Sequence, residues 1–112
     1  MRKPIITLTT DFGHRDPYVA SMKGVILSLC PEAVIVDITH EVPKFDVRAG
    51  ALMMAQAAIW FPEGTVHVGV VDPGVGTARR AIVAVSEHYF FVGPDNGLLM
   101  LAAMRDGLKA VY

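Results

Sequence analysis

The sequence contains little of what marks a secreted, membrane or nucleic-acid-binding protein. Its 112 residues include a single cysteine, Cys30, so no disulfide can form within the chain, as is usual in a reducing cytoplasm. No uninterrupted apolar run approaches the roughly 20 residues that a membrane-spanning helix needs. Ten basic and 11 acidic residues are mixed along the chain and give a formal net charge of −1. We therefore predict a cytoplasmic protein whose partners include neither nucleic acid nor a membrane.

Apolar side chains are abundant instead. They make up 53% of the residues, which is high for a soluble chain. The length is sufficient for one domain with its own core, so we predict a single domain over residues 1–112. The apolar surplus predicts that some apolar surface stays exposed after folding and is available to a partner chain or a further domain.

Short β-rich runs alternate with helical segments along the chain, which predicts α/β layers with a largely parallel sheet. Asp16 and Asp46 precede two of the helical segments and are predicted N-caps. The strand at 33–38 is read as apolar and covered on both faces. The sequence ends just after a last strand begins, which predicts an N-terminal piece of a longer protein. Strands are predicted at 5–9, 33–38, 65–71, 81–85, 89–92 and from 109, and helices at 17–29, 46–60 and 97–104.

Four loops with polar residues follow predicted strands and contain Asp11, His40, Asp72 and Asp95. Ligands of open α/β sheets bind beyond the carboxyl ends of the strands, so the loops together predict a binding site. Each loop taken alone is also explained by ordinary turn chemistry. Carboxylates with one imidazole leave a metal site from these four residues open as an alternative.

Two familiar motifs are excluded. Asp11-Phe12-Gly13 resembles the kinase triplet, but no lysine-bearing strand precedes it. Residues 69–74 have the glycine spacing of a phosphate-binding loop, yet Val75-Gly76 stands where that loop needs Lys-Ser/Thr. Neither a kinase nor a nucleotide-binding loop is predicted.

The loop from Asp72 to Arg80 is the most informative segment. A run of small apolar residues ends in Asp72, and the loop that follows contains one proline and two glycines before Arg79. Glycine lets a backbone approach a ligand closely. A carboxylate and a permanent cation at short range can orient and deprotonate a water molecule, so Asp72 and Arg79 are candidate catalytic residues. A surface ion pair on an ordinary loop is the alternative.

The order of motifs resembles the amino-terminal domain of the S-adenosylmethionine hydroxide adenosyltransferases, relatives of the fluorinase and chlorinase. Order and spacing hold over nearly the whole chain. The matching segments are Ile6-Thr7-Leu8-Thr9-Thr10-Asp11-Phe12-Gly13, Asp16-Pro17-Tyr18-Val19, Met22-Lys23-Gly24-Val25-Ile26, Ile35-Val36-Asp37-Ile38-Thr39-His40, Phe61-Pro62-Glu63-Gly64-Thr65-Val66-His67, the loop 72–80, and Gly93-Pro94-Asp95-Asn96-Gly97.

The resemblance implies a three-layer α/β/α Rossmann-like domain that hydrolyses S-adenosyl-L-methionine to adenosine and L-methionine, without metal or cofactor. It assigns Asp72 and Arg79 to the water-activating set and Asp11 to the ribose hydroxyls. Phe45 matches an aromatic residue that packs against the ribose. It also implies a homo-oligomer, usually a trimer. Two further candidate binding residues, Val75 and Thr77, lie in the same loop as Asp72.

Two departures from the family pattern shape the alternatives. The third member of the water-activating set is a histidine that none of the histidines here matches, and the family's carboxyl-terminal β-barrel is absent from these 112 residues. The halogenases of the family carry an aromatic residue in place of Asp72, and a carboxylate would repel a halide, so hydrolysis is favoured. The alternative to an enzyme is a non-catalytic oligomerising or nucleoside-binding module. The histidines compared are His14, His40, His67 and His88.

Overall fold

The computed structural model describes residues 3–74 and 80–112, which form a mixed α/β fold with six strands and three helices. Every strand and helix predicted from the sequence is present, with bounds that differ by at most a few residues. In chain order they are β1 (Ile5–Thr10), α1 (Tyr18–Leu29), β2 (Val34–Thr39), α2 (Val47–Ala58), β3 (Val66–Val70), β4 (Ala81–Ser86), β5 (Phe90–Pro94), α3 (Met100–Arg105) and β6 (Leu108–Val111).

All six strands form one sheet in the order β2-β1-β3-β5-β4-β6. The pairs β1–β2, β1–β3 and β3–β5 are parallel, whereas β4 pairs antiparallel with both β5 and β6. This confirms the largely parallel sheet, and β4 and β5 form a hairpin around residues 87–89. The strands β1, β2, β3 and β5 therefore all end at the same edge of the sheet.

One of the two predicted helix caps is confirmed. The Asp46 carboxylate accepts a hydrogen bond from the Ala49 N–H at 3.0 Å and so caps α2. The prediction for Asp16 is wrong, because α1 begins at Tyr18 and Pro17 occupies the cap position without a side-chain hydrogen bond. Asp16 lies one residue too early to cap the helix and is exposed.

The prediction that residues 33–38 are covered on both faces is also wrong. The strand β2 is an outermost strand of the sheet, paired only with β1, and it contains no buried residue. An edge strand tolerates a charged side chain, and β2 carries Asp37.

The hydrophobic core lies between the sheet and the helices α2 and α3. Side chains of alternating strand residues point to this face, among them Ile82, Ala84 and Phe91, and they pack against Met54 and Leu98 from the helical side. The two longest helices, α1 and α2, have 12 residues each. Within the described residues no helix is long and apolar enough to span a membrane.

The other face of the sheet is apolar and only partly covered over β3, β5 and β4. Directly paired strand residues point to the same side, and the register pairs Val68 with Val92 and Val92 with Val83. None of the side chains on this part of the face is charged, and none is fully buried, which agrees with the apolar surface predicted from composition. The residues are Val66, Val68, Val70, Ala81, Val83, Val85, Phe90, Val92 and Pro94.

Gly93 allows β3 and β5 to approach closely near the end of the sheet at which the parallel strands finish. A Cβ atom at this position would lie 2.5 Å from the backbone oxygen of Gly69, which cannot move without displacing β3. We expect Gly93→Ala to lower the free energy of unfolding by roughly 1–3 kcal/mol, the usual cost of overpacking. Urea denaturation followed by circular dichroism measures it.

The matched control is Gly24→Ala in α1, where an added Cβ would meet no atom within 4 Å. Alanine favours helix over glycine by about 0.8–1 kcal/mol, so this variant should be more stable than the wild type. Equal effects of the two substitutions would contradict the close approach at Gly93.

His67 is a fully buried histidine in β3. Its Nδ1 lies 2.7 Å from Thr7 Oγ1, and its ring contacts Phe61, Tyr89 and Phe91 at centroid distances of 4.9–5.5 Å. Burial lowers the pKa of His67 from 6.5 to about 4, although the charge of Asp106 acts in the opposite direction.

Acid should therefore destabilise the fold through His67. The unfolded chain takes up the proton near pH 6.5 and the folded chain only near pH 4, so stability falls as the pH falls between these values. The difference corresponds to about 3 kcal/mol. We expect His67→Gln to flatten the dependence of unfolding free energy on pH in this window. Parallel pH profiles for the wild type and His67→Gln would contradict this account of His67.

His88 has the opposite effect on the pH dependence. A hydrogen bond to Asp106 raises the pKa of exposed His88, so His88→Gln should lose stability on the acid side.

Candidate active site

Four loops meet at the edge where the parallel strands end. The register pairs Thr10, the last residue of β1, with Val70, the last residue of β3. Asp11 therefore comes directly after β1, and Asp72 comes two residues after the end of the neighbouring strand β3. The loops after β2 and β5 lie on either side of this pair because those strands flank β1 and β3. The predicted convergence of loops on one sheet edge is confirmed.

Asp11 is buried, with 7% of its surface exposed, and it holds the loop after β2. Its Oδ2 accepts a hydrogen bond from the Phe45 N–H at 2.7 Å. Phe45 has a φ of 63°, which is unusual for a residue other than glycine, and this hydrogen bond helps to hold it there. Phe45 is 54% exposed, and Lys44 Nζ lies 5.4 Å from the centroid of its ring. A carboxylate can accept about four hydrogen bonds, so Asp11 retains acceptor capacity for a ligand.

Asp72 is half-buried at the end of β3, and its Oδ1 accepts a hydrogen bond from the Gly74 N–H at 3.1 Å. It lines a cleft of about 340 Å³ on the partly covered face of the sheet. The floor of this cleft is mostly apolar. Besides Asp72 the lining residues are Val68, Gly69, Val70, Arg80, Ala81, Val92, Gly93 and Pro94.

Asn96 connects the loop after β5 to the loop of Asp72. Its Nδ2 donates to the Val71 carbonyl at 2.9 Å, and its Oδ1 accepts from the Leu98 N–H at 3.1 Å. The backbone that precedes Asp72 is thus held by a side chain from the loop after β5. Sequence reasoning named this loop but gave Asn96 no role, since asparagine before glycine is also an ordinary turn residue.

Arg80 forms an ion pair with Asp95, with 3.1 Å between Nη2 and Oδ2. Their side chains are 78% and 45% exposed, so solvent screens the attraction and the pair contributes little stability. The Asp95 N–H also donates to the Arg80 carbonyl at 2.9 Å. These contacts tie the far end of the Asp72 loop to the end of β5.

A chain of hydrogen-bonded side chains lies beside Asp11. Thr10 Oγ1 is 2.7 Å from His40 Nδ1, and His40 Nε2 is 2.8 Å from Asp37 Oδ1. The other Asp37 oxygen accepts from Lys23 of α1 at 2.8 Å. Burial alone would raise the pKa of Asp37, but the hydrogen bonds from Lys23 and His40 outweigh it and hold the pKa below its ordinary value.

The alternative of a metal site is not supported by the geometry. Within residues 3–74 and 80–112, no three His, Cys, Asp or Glu side chains are grouped closely enough to hold a metal ion. His40 directs one ring nitrogen at Thr10 and the other at Asp37. Of the residues predicted for the site, Asp11, Phe45 and Asp72 lie at the sheet edge, whereas Val75, Thr77 and Arg79 fall outside the described residues.

Comparison with known proteins identifies relatives over almost the whole chain. A protein of Salinispora arenicola named (R)-S-adenosyl-L-methionine hydrolase is 53% identical over 104 residues, which are 93% of this chain and 40% of the relative. A protein of Nocardia brasiliensis named fluorinase is 32% identical over 134 residues, covering 99% of this chain and 45% of the relative. An uncharacterized conserved protein from Thermotoga maritima superposes with a TM-score of 0.90 at 44% identity, over 96% of this chain and 41% of that one.

The chain thus spans less than half the length of these relatives. Residues 6–112 match the family model of the SAM hydroxide adenosyltransferase N-terminal domain. This match covers nearly all of the chain and agrees with the resemblance carried by its motifs, so the chain belongs to the SAM hydroxide adenosyltransferase family.

Proposed function

We propose that the protein hydrolyses S-adenosyl-L-methionine to adenosine and L-methionine. The observation that carries the proposal is the placement of Asp11 and Asp72 after neighbouring parallel strands, in a chain that is 53% identical to a protein named as this hydrolase. In parallel sheets this edge is where ligands bind. Asp72 also lines a cleft in which a substrate could lie.

In the proposed reaction water attacks C5′ of the ribose. The new O–C5′ bond forms as the C5′–S bond breaks, the bonding pair leaves with sulfur, and methionine departs as a neutral thioether. Asp72 accepts a proton from the attacking water, and Arg79 assists in orienting it. A sulfonium is already a good leaving group, so the protein's main contribution is to align water with the C–S bond. On these grounds we propose that no metal or cofactor takes part.

The ribose is proposed to bind at Asp11. Two hydroxyls on neighbouring carbons match the two oxygens of a carboxylate, and Asp11 is held at the sheet edge with acceptor capacity left. The exposed Phe45 ring lies on the residue that Asp11 anchors, where it can pack against the sugar. Val75 and Thr77 are proposed to line the same pocket from the loop of Asp72.

We also propose a three-layer α/β/α Rossmann-like arrangement, a cytoplasmic location and a homo-oligomer, a trimer in analogy with the family. The layer arrangement is supported by the Lys23–Asp37 ion pair between α1 and β2. The pairing of Asp37 with Leu8 puts this contact on the side of the sheet opposite His67 and the core of α2. The partly covered apolar face supports association with further subunits.

Product analysis tests the reaction directly. The chain is incubated with S-adenosyl-L-methionine in ¹⁸O-labelled water. The products are separated by chromatography, and their masses are determined by mass spectrometry. We expect adenosine and L-methionine in equal amounts, with one ¹⁸O atom in adenosine, because attack at C5′ places the oxygen of water there. Unlabelled adenosine would contradict attack at C5′. A halide-dependent nucleoside product would favour halogenation, and binding of adenosine without turnover would favour the non-catalytic module.

The role of Asp72 is tested by Asp72→Asn. The amide cannot accept the proton of the attacking water, so we expect kcat to fall by about 10²–10⁴-fold, as is typical for loss of a general base, while KM changes little. Steady-state kinetics measures both. The matched control is Glu41→Gln, which neutralises an exposed carboxylate in the loop after β2 and should leave kcat unchanged. Equal kcat values for Asp72→Asn and the wild type would exclude Asp72 as the base.

A further inference from the structure

Among the residues that the structure describes, two buried threonine–histidine pairs have their threonine on the strand β1. Thr7 Oγ1 lies 2.7 Å from His67 Nδ1, and Thr10 Oγ1 lies 2.7 Å from His40 Nδ1. All four side chains are at most 1% exposed. The pairs differ in what surrounds them, because Thr7 lies in the middle of the sheet whereas Thr10 is the residue before Asp11.

The Thr10–His40 pair is connected to the backbone on both sides of Asp11. The Phe12 N–H donates to Thr10 Oγ1 at 3.2 Å, and the Gly13 N–H donates to the His40 carbonyl at 2.7 Å. The Val42 N–H also donates to the Thr10 carbonyl, at 3.3 Å. The Gly13 and Val42 hydrogen bonds therefore join the segments after β1 and β2 around the carboxylate, and the Phe12 hydrogen bond closes the turn that contains Asp11.

The network is continuous from the surface to the residue before Asp11. Thr10 Oγ1 accepts a hydrogen bond from the Phe12 N–H and shares a second hydrogen bond with His40 Nδ1. The other ring nitrogen of His40 is hydrogen-bonded to Asp37, whose second oxygen accepts from Lys23. The Lys23 and Asp37 side chains at the outer end of the network are 34% and 36% exposed.

We propose that Thr10, His40 and Asp37 are positioning residues that fix the Asp11 carboxylate, and through it Phe45, and thereby set the selectivity for a ribose diol. The inference rests on the proposed function, since it is Asp11 that is assigned to the ribose. These three residues act on a ligand only through Asp11. The network fixes the turn that carries the carboxylate, whereas the Thr7–His67 pair, with the same distance and burial, serves the core.

The two pairs supply a matched experiment. Thr10→Val and Thr7→Val each replace a hydroxyl with a methyl group of similar size and remove one buried hydrogen bond to a histidine. Thr10→Ser retains the hydroxyl and should restore wild-type behaviour. Binding of adenosine and of 2′-deoxyadenosine is measured by titration calorimetry, and amide hydrogen exchange is measured at Phe45, whose N–H donates to Asp11.

We expect Thr10→Val to lower the preference for adenosine over 2′-deoxyadenosine about tenfold, the effect of one misplaced hydrogen bond. Exchange of the Phe45 amide should accelerate in the same variant, relative to core amides such as that of Phe91. Thr7→Val should lower stability without changing either the preference or this relative exchange rate.

The possible failures are distinguishable. A wild-type chain that does not prefer adenosine over the deoxynucleoside would contradict the ribose role of Asp11, while the Phe45 exchange rate would still test the network. Equal acceleration at Phe45 in Thr7→Val and Thr10→Val would overturn the inference, since both effects would then reflect lost stability alone. An unchanged preference in Thr10→Val, with a selective wild type, would overturn it as well.

Discussion

The parallel pairing of β1 with β3 is the constraint on which the candidate site depends. The two strands are far apart in sequence, and their register, with Thr10 opposite Val70, brings Asp11 and Asp72 to one edge of the sheet. Flanking strands then add the loop that contains His40 and Phe45 and the loop that contains Asn96. Hydrogen bonds between loops add to those within each loop at this edge: Asp11 holds Phe45, and Asn96 holds the backbone before Asp72. A change of register would separate these groups even if every strand still formed.

The two faces of the sheet have different functions. Helices α2 and α3 cover the face of Phe91 and His67, where burial is nearly complete and the histidine stays neutral down to about pH 4. The other face is apolar, partly covered over β3, β5 and β4, and carries the cleft beside Asp72. Backbone approach between β3 and β5 at Gly93 is set by packing, whereas the position of Asp11 is set by polar contacts of buried threonine and histidine. Stability and ligand geometry are thus controlled by different residues.

Much of the fold could be predicted from sequence because alternation of apolar residues and the turn residues between them report directly on local structure. The same signals predicted Asp46 as a cap and the convergence of loops at one edge. Sheet order and register could not be predicted, since they depend on long-range pairing that no local pattern records. Reading residues 33–38 as an apolar strand concealed Asp37, and with it the contact to His40. Asn96 was hidden for another reason, as its residue type is equally common in simple turns. The Asp16 prediction failed because Pro17 takes the cap position itself.

The chemistry of the proposed reaction explains why rigid placement matters more here than strong acid or base groups. A sulfonium leaves as a neutral molecule, so little charge has to be stabilised on the leaving group, and the barrier depends on how well water, C5′ and sulfur are aligned. Alignment needs the ribose held from one side and water held from the other. Asp11 and Asp72 stand at the ends of neighbouring strands, and neither rests on a flexible side-chain contact alone: a buried hydrogen-bond network adjoins Asp11, and Asn96 secures the strand end before Asp72. The rigidity of the sheet is in this way transferred to the two carboxylates on which the proposed reaction depends.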